Sequence, residues 1–171
     1  RTDFDLSRHS EFSGKKLQYF DSELNESYTP YVIETSIGVD RTVLAIFSHA
    51  LEDEQLEDGT TRTVLRLPAL LAPYKVAVLP LVKKDGLPEK AREIVDMLKY
   101  HYMVQYDEKD AIGRRYRRQD AIGTPYCITV DNDTLQDNSV TLRDRDTMKQ
   151  ERIPIANLFM YLHDHIKPLA L

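Results

Sequence analysis

Residues 34–41, ETSIGVDR, bring together side chains that could bind a small charged ligand. The YVI before them predicts a strand over 31–35, on which Glu34 and Ser36 leave the same face because they are two residues apart. A carboxylate there is costly to bury unless a cation meets it. Spacing leaves three interpretations open: Glu34 receives an ammonium group, it belongs to a metal site, or it forms a structural ion pair with Arg41.

Arg41 lies early in a second predicted element, a helix from about Asp40 to Glu52. Its apolar residues recur at helical spacing: Val43, Phe47, Ala50 and Leu51. A guanidinium in the first turn of a helix can hold phosphate, and the positive end of the helix dipole strengthens that attraction. The segment therefore combines a candidate ammonium site with a candidate phosphate site.

A second concentration of charge is the stretch IGRRYRRQDAIG, in which four arginines surround Tyr116. Drawn as a helix, it places three of them on one face: Arg114, Arg117 and Arg118. Ile112 and Tyr116 then point nearer the core. Such a face can follow RNA phosphates, while Arg or Tyr can stack on unpaired bases. The alternative is a solvated face that pairs with carboxylates such as Asp110 and Asp120.

The hairpin sequence VTLRDRDTMKQ places Arg143 and Arg145 on the strand face that Thr141 occupies. They are secondary RNA candidates, although alternating charges also form cross-strand ion pairs. His163 and His165 are roughly 200° apart on a helix and cannot share a metal. No other ligand cluster stands out, so we predict no metal site.

The elements that must position these groups follow from apolar periodicity. Strands are predicted at Lys16–Phe20, Lys75–Leu81, Tyr102–Tyr106, Tyr126–Val130, Ser139–Arg143 and Lys149–Ile153. One helix is predicted to begin near Pro88, and a second is predicted to be capped by Asp110 and to end at Gly123. A final helix carries an apolar stripe that includes Leu158 and Leu162. Glu52 to Arg62 is predicted as an acidic surface loop. From Lys75 the order is β-α-β-α-β-β-β-α, which predicts an α/β fold with a mixed, mostly parallel sheet flanked by helices.

Composition fits a folded protein that functions in a reducing compartment. The chain has 171 residues, 42% of them apolar and 30% charged, and no apolar run approaches membrane-spanning length. The single Cys127 lies in a strand pattern and is predicted to be a buried, inert thiol, which favours the cytoplasm. Residues 1–73 carry 7 basic and 13 acidic side chains, whereas residues 74–171 carry 16 and 15. This asymmetry predicts two units with different partners, and Arg1, at an abrupt start, indicates a fragment of a longer protein.

The segment YVIETSIGVDR, with the following VLAIFSHAL, resembles motif 3 of the class II aminoacyl-tRNA synthetases. That motif consists of a strand, a glycine turn and an arginine on a helix. The E-x-S-x-G-x-x-R version resembles glycyl-tRNA synthetase of the dimeric type. The same enzyme's active-site region is similar to RTDFDLSRHSEFSGKKL. Its anticodon-binding domain is similar to KVAVLPLVKK, IGRRYRRQDAIGTPYCITVD and VTLRDRDTMKQERI. The resemblance covers essentially the whole chain.

The resemblance implies that Arg41 is catalytic and contacts the ATP triphosphate. It implies a glycine site at Glu34, Thr35, Ser36, Ile37 and Gly38, where Glu34 receives the ammonium group. It implies an ATP site at Gly38, Val39, Asp40 and Arg41. In an anticodon domain, tRNA binding is predicted for Arg114, Arg115, Arg117, Arg118, Arg143 and Arg145. A pocket for glycine must recognise the ammonium and carboxylate groups and exclude larger amino acids, because glycine has no side chain.

The implied domains are residues 1–67, a remnant of the antiparallel class II catalytic domain, a linker at 68–73, and an anticodon-binding domain at 74–171. The implied function is a glycine–tRNA ligase that attaches glycine to its tRNA through glycyl adenylate, with Mg²⁺ expected beside ATP. Motifs 1 and 2 are absent from this sequence, so the fragment is not expected to catalyse alone or to retain ATP. Implied partners are tRNA, glycine, ATP and a second copy in a homodimer, with no membrane.

Two other functions fit part of the pattern. Synthetase-like proteins serve as non-catalytic polymerase accessory factors that bind nucleic acid, but such a factor need not keep Glu34, Ser36 and Arg41 together. The anticodon domain of another class II synthetase, such as the threonine, proline or histidine enzyme, is disfavoured by Glu34 with Ser36 and by the segment RDRDTMKQ. Fold alone would not separate these functions.

Overall fold

The computed structural model describes residues 2–166 and divides the chain into two units, residues 1–42 and 43–171. Within residues 2–166, no helix is both long and apolar enough to span a bilayer.

The first unit contains the helix α1 (Phe4–Ser13) and the antiparallel hairpin of β1 (Tyr19–Asp21) and β2 (Glu26–Tyr28). α1 ends at Gly14, whose φ of 68° lies in the left-handed region that closes many helices. None of residues 2–42 is buried. This unit is therefore held by local hydrogen bonds rather than by an apolar core.

The strand predicted over 31–35 is wrong, because residues 29–38 form neither strand nor helix. No described strand pairs with this segment. The side chains of Tyr31 and Ile33, which were predicted to be buried, have exposed fractions of 74% and 98%. An unpaired strand has no partner for its backbone groups, so its residues stay irregular. The strand predicted near Lys16–Phe20 is present as β1.

The helix α2 (Val39–Ala50) leads into a second hairpin, β3 (Leu51–Gln55) and β4 (Thr61–Leu65). The acidic surface loop predicted from Glu52 to Arg62 is therefore wrong. Its charges pair across the two strands: Glu54 lies opposite Arg62, and its Oε2 accepts a hydrogen bond from Arg62 Nε at 2.5 Å. Cross-strand pairing converts an acidic stretch into a strand that composition alone does not predict.

The main sheet has five strands in the order β6-β5-β7-β8-β9, with these bounds: β5 (Val76–Pro80), β6 (Val104–Tyr106), β7 (Tyr126–Val130), β8 (Ser139–Asp144) and β9 (Gln150–Pro154). β5 pairs in parallel with β6 and β7, and β7, β8 and β9 pair antiparallel. The predicted α/β sheet, with parallel strands and an antiparallel edge, is confirmed.

The helices lie on both faces of this sheet: α3 (Leu87–Leu98), α4 (Ile112–Ile122), α5 (Thr134–Asp137) and α6 (Leu158–His165), with a short 3-10 turn at Ile155–Asn157 before α6. α3 and α6 cover the face that carries Val76, Val78 and Ile128. α4 covers the opposite face, where Ala77, Leu79 and Cys127 pack against Ile112 and Tyr116. Successive strand residues point to opposite faces, which is why this split follows the sequence.

α4 begins differently from the prediction, because Asp110 does not cap it. The residue before the helix is Ala111, with no side-chain cap, and Asp110 has a φ of 71°. Its carboxylate instead accepts a hydrogen bond from Arg118 Nη1 at 2.8 Å. α4 ends at Gly123 as predicted, with a φ of 84°.

A buried ionic cluster, made of Arg62, Asp120 and Arg143, joins the β3–β4 hairpin to α4 and β8. Arg143 Nη1 and Nη2 donate to the two carboxylate oxygens of Asp120 at 2.7 and 3.0 Å, and Arg62 Nη1 donates to Asp120 Oδ2 at 3.1 Å. Arg62 Nη1 also donates to the carbonyl oxygen of Arg145 at 2.9 Å. These bonds tie the β3–β4 hairpin to α4 and β8 within the second unit, which begins at Val43.

Candidate functional site

Residues 34–38, for which the resemblance implies a glycine site, are exposed in the first unit. A small pocket of about 270 Å³ is lined by Asp5, Val32, Ile33 and Glu34. The exposed carboxylate of Glu34 in this pocket can attract a cation such as an ammonium group. Glu34 and Arg41 form no ion pair in the described part of the chain, so the structural-pair interpretation is not supported.

Residues 38–41, for which the resemblance implies an ATP site, lie at the start of α2. Gly38 accepts hydrogen bonds on its carbonyl oxygen from the backbone N–H and the Oγ1 of Thr42, both at 3.0 Å. A Cβ added to Gly38 would meet only the Cβ of Arg41, at 3.8 Å. The chain's own packing therefore does not require glycine here, and the open space is compatible with close approach of a ligand. Arg41 is exposed in the first turn of the helix.

Metal ligands are not grouped in the part of the chain that the structure describes, since no three His, Cys, Asp or Glu side chains come together there.

The basic face of α4 consists of Arg114, Arg117 and Arg118, all exposed, as the helical drawing predicts. Arg118 donates to Asp107 Oδ2 at 2.8 Å, to Asp110 Oδ2 at 2.8 Å and to the carbonyl oxygen of Lys109 at 2.6 Å. Its bonds to Asp107 and Asp110 raise the pKa of Arg118. Arg118 therefore fastens the loop between β6 and α4, as the paired-face alternative proposes. The partner Asp107 was not predicted from the sequence pattern.

Arg114 and Arg117 have side chains that make no hydrogen bond to any residue described by the structure. Asp110 lies within electrostatic range of Arg114, and its pKa is lowered mainly by its hydrogen bond from Arg118. Asp58 lies within electrostatic range of Arg117, and its pKa is lowered mainly by its hydrogen bonds from Thr60. Two unbonded guanidinium groups on one exposed helix face can bind phosphate bidentately.

The remaining predicted tRNA residues, Arg115, Arg143 and Arg145, are buried and have partners within the fold. Arg115 donates to the carbonyl oxygens of Pro80 at 2.6 Å and Leu81 at 3.1 Å, which holds the end of β5. Burial lowers its pKa. Arg145 donates to the carbonyl oxygens of Gly123 and Leu67 at 2.9 and 2.8 Å. These guanidinium groups satisfy backbone carbonyls that would otherwise be buried without partners.

Tyr116 packs in the core rather than on the surface. Its hydroxyl shares a hydrogen bond with Thr129 Oγ1 at 2.6 Å, and the guanidinium carbon of Arg143 lies 4.8 Å from its ring centre. Burial raises the pKa of Tyr116. The buried thiol predicted at Cys127 is present, and burial raises its pKa to about 12. That thiol is therefore protonated and unreactive at neutral pH.

The five-stranded sheet, its two helical faces and the exposed arginines of α4 define an α/β domain suited to RNA backbone contact. Residues 75–165 match the anticodon binding domain family over more than half of the chain, so the chain belongs to that family.

Curated relatives point to one enzyme. The glycine–tRNA ligase of Geobacillus kaustophilus is 56% identical over 166 residues, which is 97% of this chain and 36% of that protein. The glycine–tRNA ligase of Clostridium tetani is 53% identical over 167 residues, 98% of this chain and 36% of that protein. The chain thus spans about a third of the length of these relatives.

Solved structures share the fold. The RNA binding domain of threonyl-tRNA synthetase from Cryptosporidium parvum superposes with a TM-score of 0.55 at 24% identity, covering 60% of this chain and 26% of that one. Prolyl-tRNA synthetase from the same organism, in complex with L-proline and AMP, gives a TM-score of 0.54 at 23% identity, covering 60% of this chain and 23% of that one.

Proposed function

We propose that this chain is the tRNA-reading portion of a glycine–tRNA ligase and that residues 75–165 bind the anticodon end of the tRNA. The observation that carries this proposal is the family match over 75–165, on a domain whose helix α4 exposes arginines. The identity of 56% to one such ligase supports the choice of glycine over other amino acids.

For the whole enzyme we propose ATP-dependent formation of glycyl adenylate, with release of pyrophosphate, followed by transfer of glycine to the terminal adenosine of the tRNA, with release of AMP. In this chain the small pocket at Glu34 would receive the glycine ammonium group, with Thr35, Ser36 and Ile37 beside it. Gly38, Val39, Asp40 and Arg41 would face ATP, where an exposed guanidinium stabilises phosphate charge in the transition state. We further propose a cytoplasmic homodimer in which Mg²⁺ accompanies ATP.

The RNA contacts are divided between two kinds of arginine. Arg114 and Arg117 are the proposed phosphate contacts, because their guanidinium groups are exposed and make no hydrogen bond to a described residue. Arg118 is a weaker candidate, since three partners already hold it. Arg115, Arg143 and Arg145 would act by positioning the sheet and α4 rather than by touching RNA.

The test is binding of the 171-residue chain to a glycine tRNA transcript and to a transcript that differs only in its anticodon, across a series of salt concentrations. We expect clearly weaker binding of the altered transcript. The double variant Arg114→Ala with Arg117→Ala should weaken both complexes and reduce the salt slope by about 2, because two phosphate contacts are lost.

The matched control is Arg92→Ala, which removes an exposed arginine on α3, across the sheet from α4. It should leave the salt slope unchanged. Equal binding of the two transcripts would contradict anticodon reading, and a double variant with the wild-type slope would contradict the assignment of the two arginines.

A further inference from the structure

A pocket of about 330 Å³ lies on the α3 and α6 face of the sheet, across the sheet from the basic face of α4. It is formed by the start of β7, the β8–β9 hairpin and the end of α6. We call it the tyrosine pocket, after Tyr126 and Tyr161 in its wall. Nothing in the proposed anticodon contact of α4 makes use of it.

The wall of the tyrosine pocket is aromatic. The rings of Tyr161 and His165 are stacked, with centres 4.1 Å apart and planes 13° from parallel. Tyr126 meets both edge-on, at 6.2 Å from Tyr161 and 6.4 Å from His165. His165 Nδ1 lies 2.7 Å from the carbonyl oxygen of Tyr161, which can only accept, so Nδ1 carries the proton. That bond fixes the orientation of the His165 ring. This ring is exposed, and no second aromatic ring from residues 2–166 stacks on it.

Polar groups with unused capacity also line the tyrosine pocket. Tyr126 is only 7% exposed, yet its hydroxyl makes no hydrogen bond to any residue from 2 to 166. Glu151 accepts the Tyr161 hydroxyl on Oε1 at 2.6 Å, and Asp144 accepts Thr147 on Oδ1, which leaves one oxygen of each carboxylate without a described donor. Lys149 adds an ammonium group that has no described ion pair.

This chemistry selects the kind of ligand. Two carboxylates against one ammonium group disfavour a phosphate, whereas flat stacked rings favour a planar aromatic ligand. A carboxylate takes two adjacent N–H donors best, and guanine presents two such donors beside one carbonyl acceptor on its Watson–Crick edge. The volume of the pocket lies in the range of small-molecule sites.

We propose that the tyrosine pocket binds an unpaired guanine base of single-stranded RNA, stacked on His165 and read by Glu151 or Asp144 with Lys149. This gives the domain a base-binding site across the sheet from its phosphate-binding helix. The RNA source of that base rests on the proposed function, but binding of a free nucleoside does not.

The direct test is titration of the 171-residue chain with guanosine and, separately, with inosine, which lacks only the exocyclic amino group. The readout is the NMR signals of the Tyr161 and His165 side chains. Guanosine should shift both signals and bind roughly tenfold more tightly than inosine, because one N–H donor to a carboxylate is lost. Glu151→Gln keeps an oxygen for Tyr161 but replaces the free acceptor with a donor, and should abolish this preference.

Two further measurements separate this site from the α4 face. His165→Ala, at an exposed position, should weaken tRNA binding about fivefold without changing the salt slope. The Arg114→Ala and Arg117→Ala double variant should bind guanosine as the wild type does. If anticodon discrimination fails while guanosine still binds, the proposed function falls and this site stands.

Three results would overturn the site itself. Guanosine at millimolar concentration could leave both signals unchanged, or inosine could bind equally well. Arginine methyl ester could also displace guanosine more tightly than guanosine binds, which would assign the pocket to a cationic protein side chain. A thermal melt of Glu151→Gln, expected to match the wild type, ensures that lost binding is not lost folding.

Discussion

At the scale of single residues, the same guanidinium group serves either the fold or a ligand, and burial decides which. Arg115, Arg143 and Arg145 are buried and hydrogen-bonded within the fold. Arg114 and Arg117 are exposed, and their side chains make no hydrogen bond to a described residue. Helical spacing predicted the exposed face of α4 correctly. It did not predict Asp120 as the centre of a buried cluster, because that depends on Arg62 from a distant hairpin.

Asp120→Asn should strongly destabilise the second unit. Asp120 is fully buried and bonded to both Arg62 and Arg143, so neutralising it leaves Arg143 without its counter-charge and Arg62 with Glu54 alone. We expect the free energy of unfolding to fall by about 3–5 kcal/mol in urea denaturation. The control Asp96→Asn removes an exposed pair with Lys99 and should leave stability close to that of the wild type. Similar losses in the two variants would show that the cluster is not structurally important.

At the scale of elements, local pattern was sufficient for the five-stranded sheet and insufficient for the segments that pair outside it. β5 and β7 are continuous apolar runs, and α3 carries an apolar stripe of Ala91, Ile94 and Leu98. The burial of these elements can therefore be predicted from their own sequence. The strand expected at 31–35 and the loop expected at 52–62 both failed. Whether a strand forms there depends on a pairing partner, which is not encoded in the segment itself.

Gly123→Ala should destabilise the chain through the contact between α4 and the β3–β4 hairpin. A Cβ at Gly123 would lie 3.1 Å from the carbonyl oxygen of Leu65, and its φ of 84° is already unfavourable for alanine. We expect a loss of about 2–3 kcal/mol in the free energy of unfolding. Gly59→Ala isolates the contact, because Gly59 has a φ of 78° but no atom within 4 Å, and should cost only about 1 kcal/mol. Equal costs at both positions would mean that the hairpin contact contributes nothing.

At the scale of the whole molecule, stability is distributed unevenly between the two units. The described residues of the first unit include none that is buried, whereas the second contains a continuous core from Val76 to Ile166. The charge asymmetry between residues 1–73 and 74–171 predicts two units with different partners, and that division stays a prediction. The charges of the β3–β4 hairpin did not predict that its residues pack against α4.

Hydrogen exchange should reveal that difference directly. Backbone amides of α1 and the β1–β2 hairpin should exchange within seconds to minutes, because local opening there disrupts no core. Amides of β5 and β7 should be protected up to the global unfolding free energy, since both strands are buried along their whole length. Mass spectrometry of peptides from the labelled chain makes the comparison. Strong protection of residues 4–28 would contradict the absence of a core.

The buried ionic cluster also restricts how this protein can evolve. Arg62, Asp120 and Arg143 lie on three separate elements, and the shared carboxylate bonds to both guanidinium groups. Loss of Asp120 leaves Arg143 without a counter-charge, and loss of either arginine removes a buried ion pair of Asp120, so single substitutions there should be removed by selection even though none of the three residues is proposed to touch a substrate. Related proteins can lose this arrangement only by replacing all three residues together. We therefore expect the three positions to change as a group during evolution.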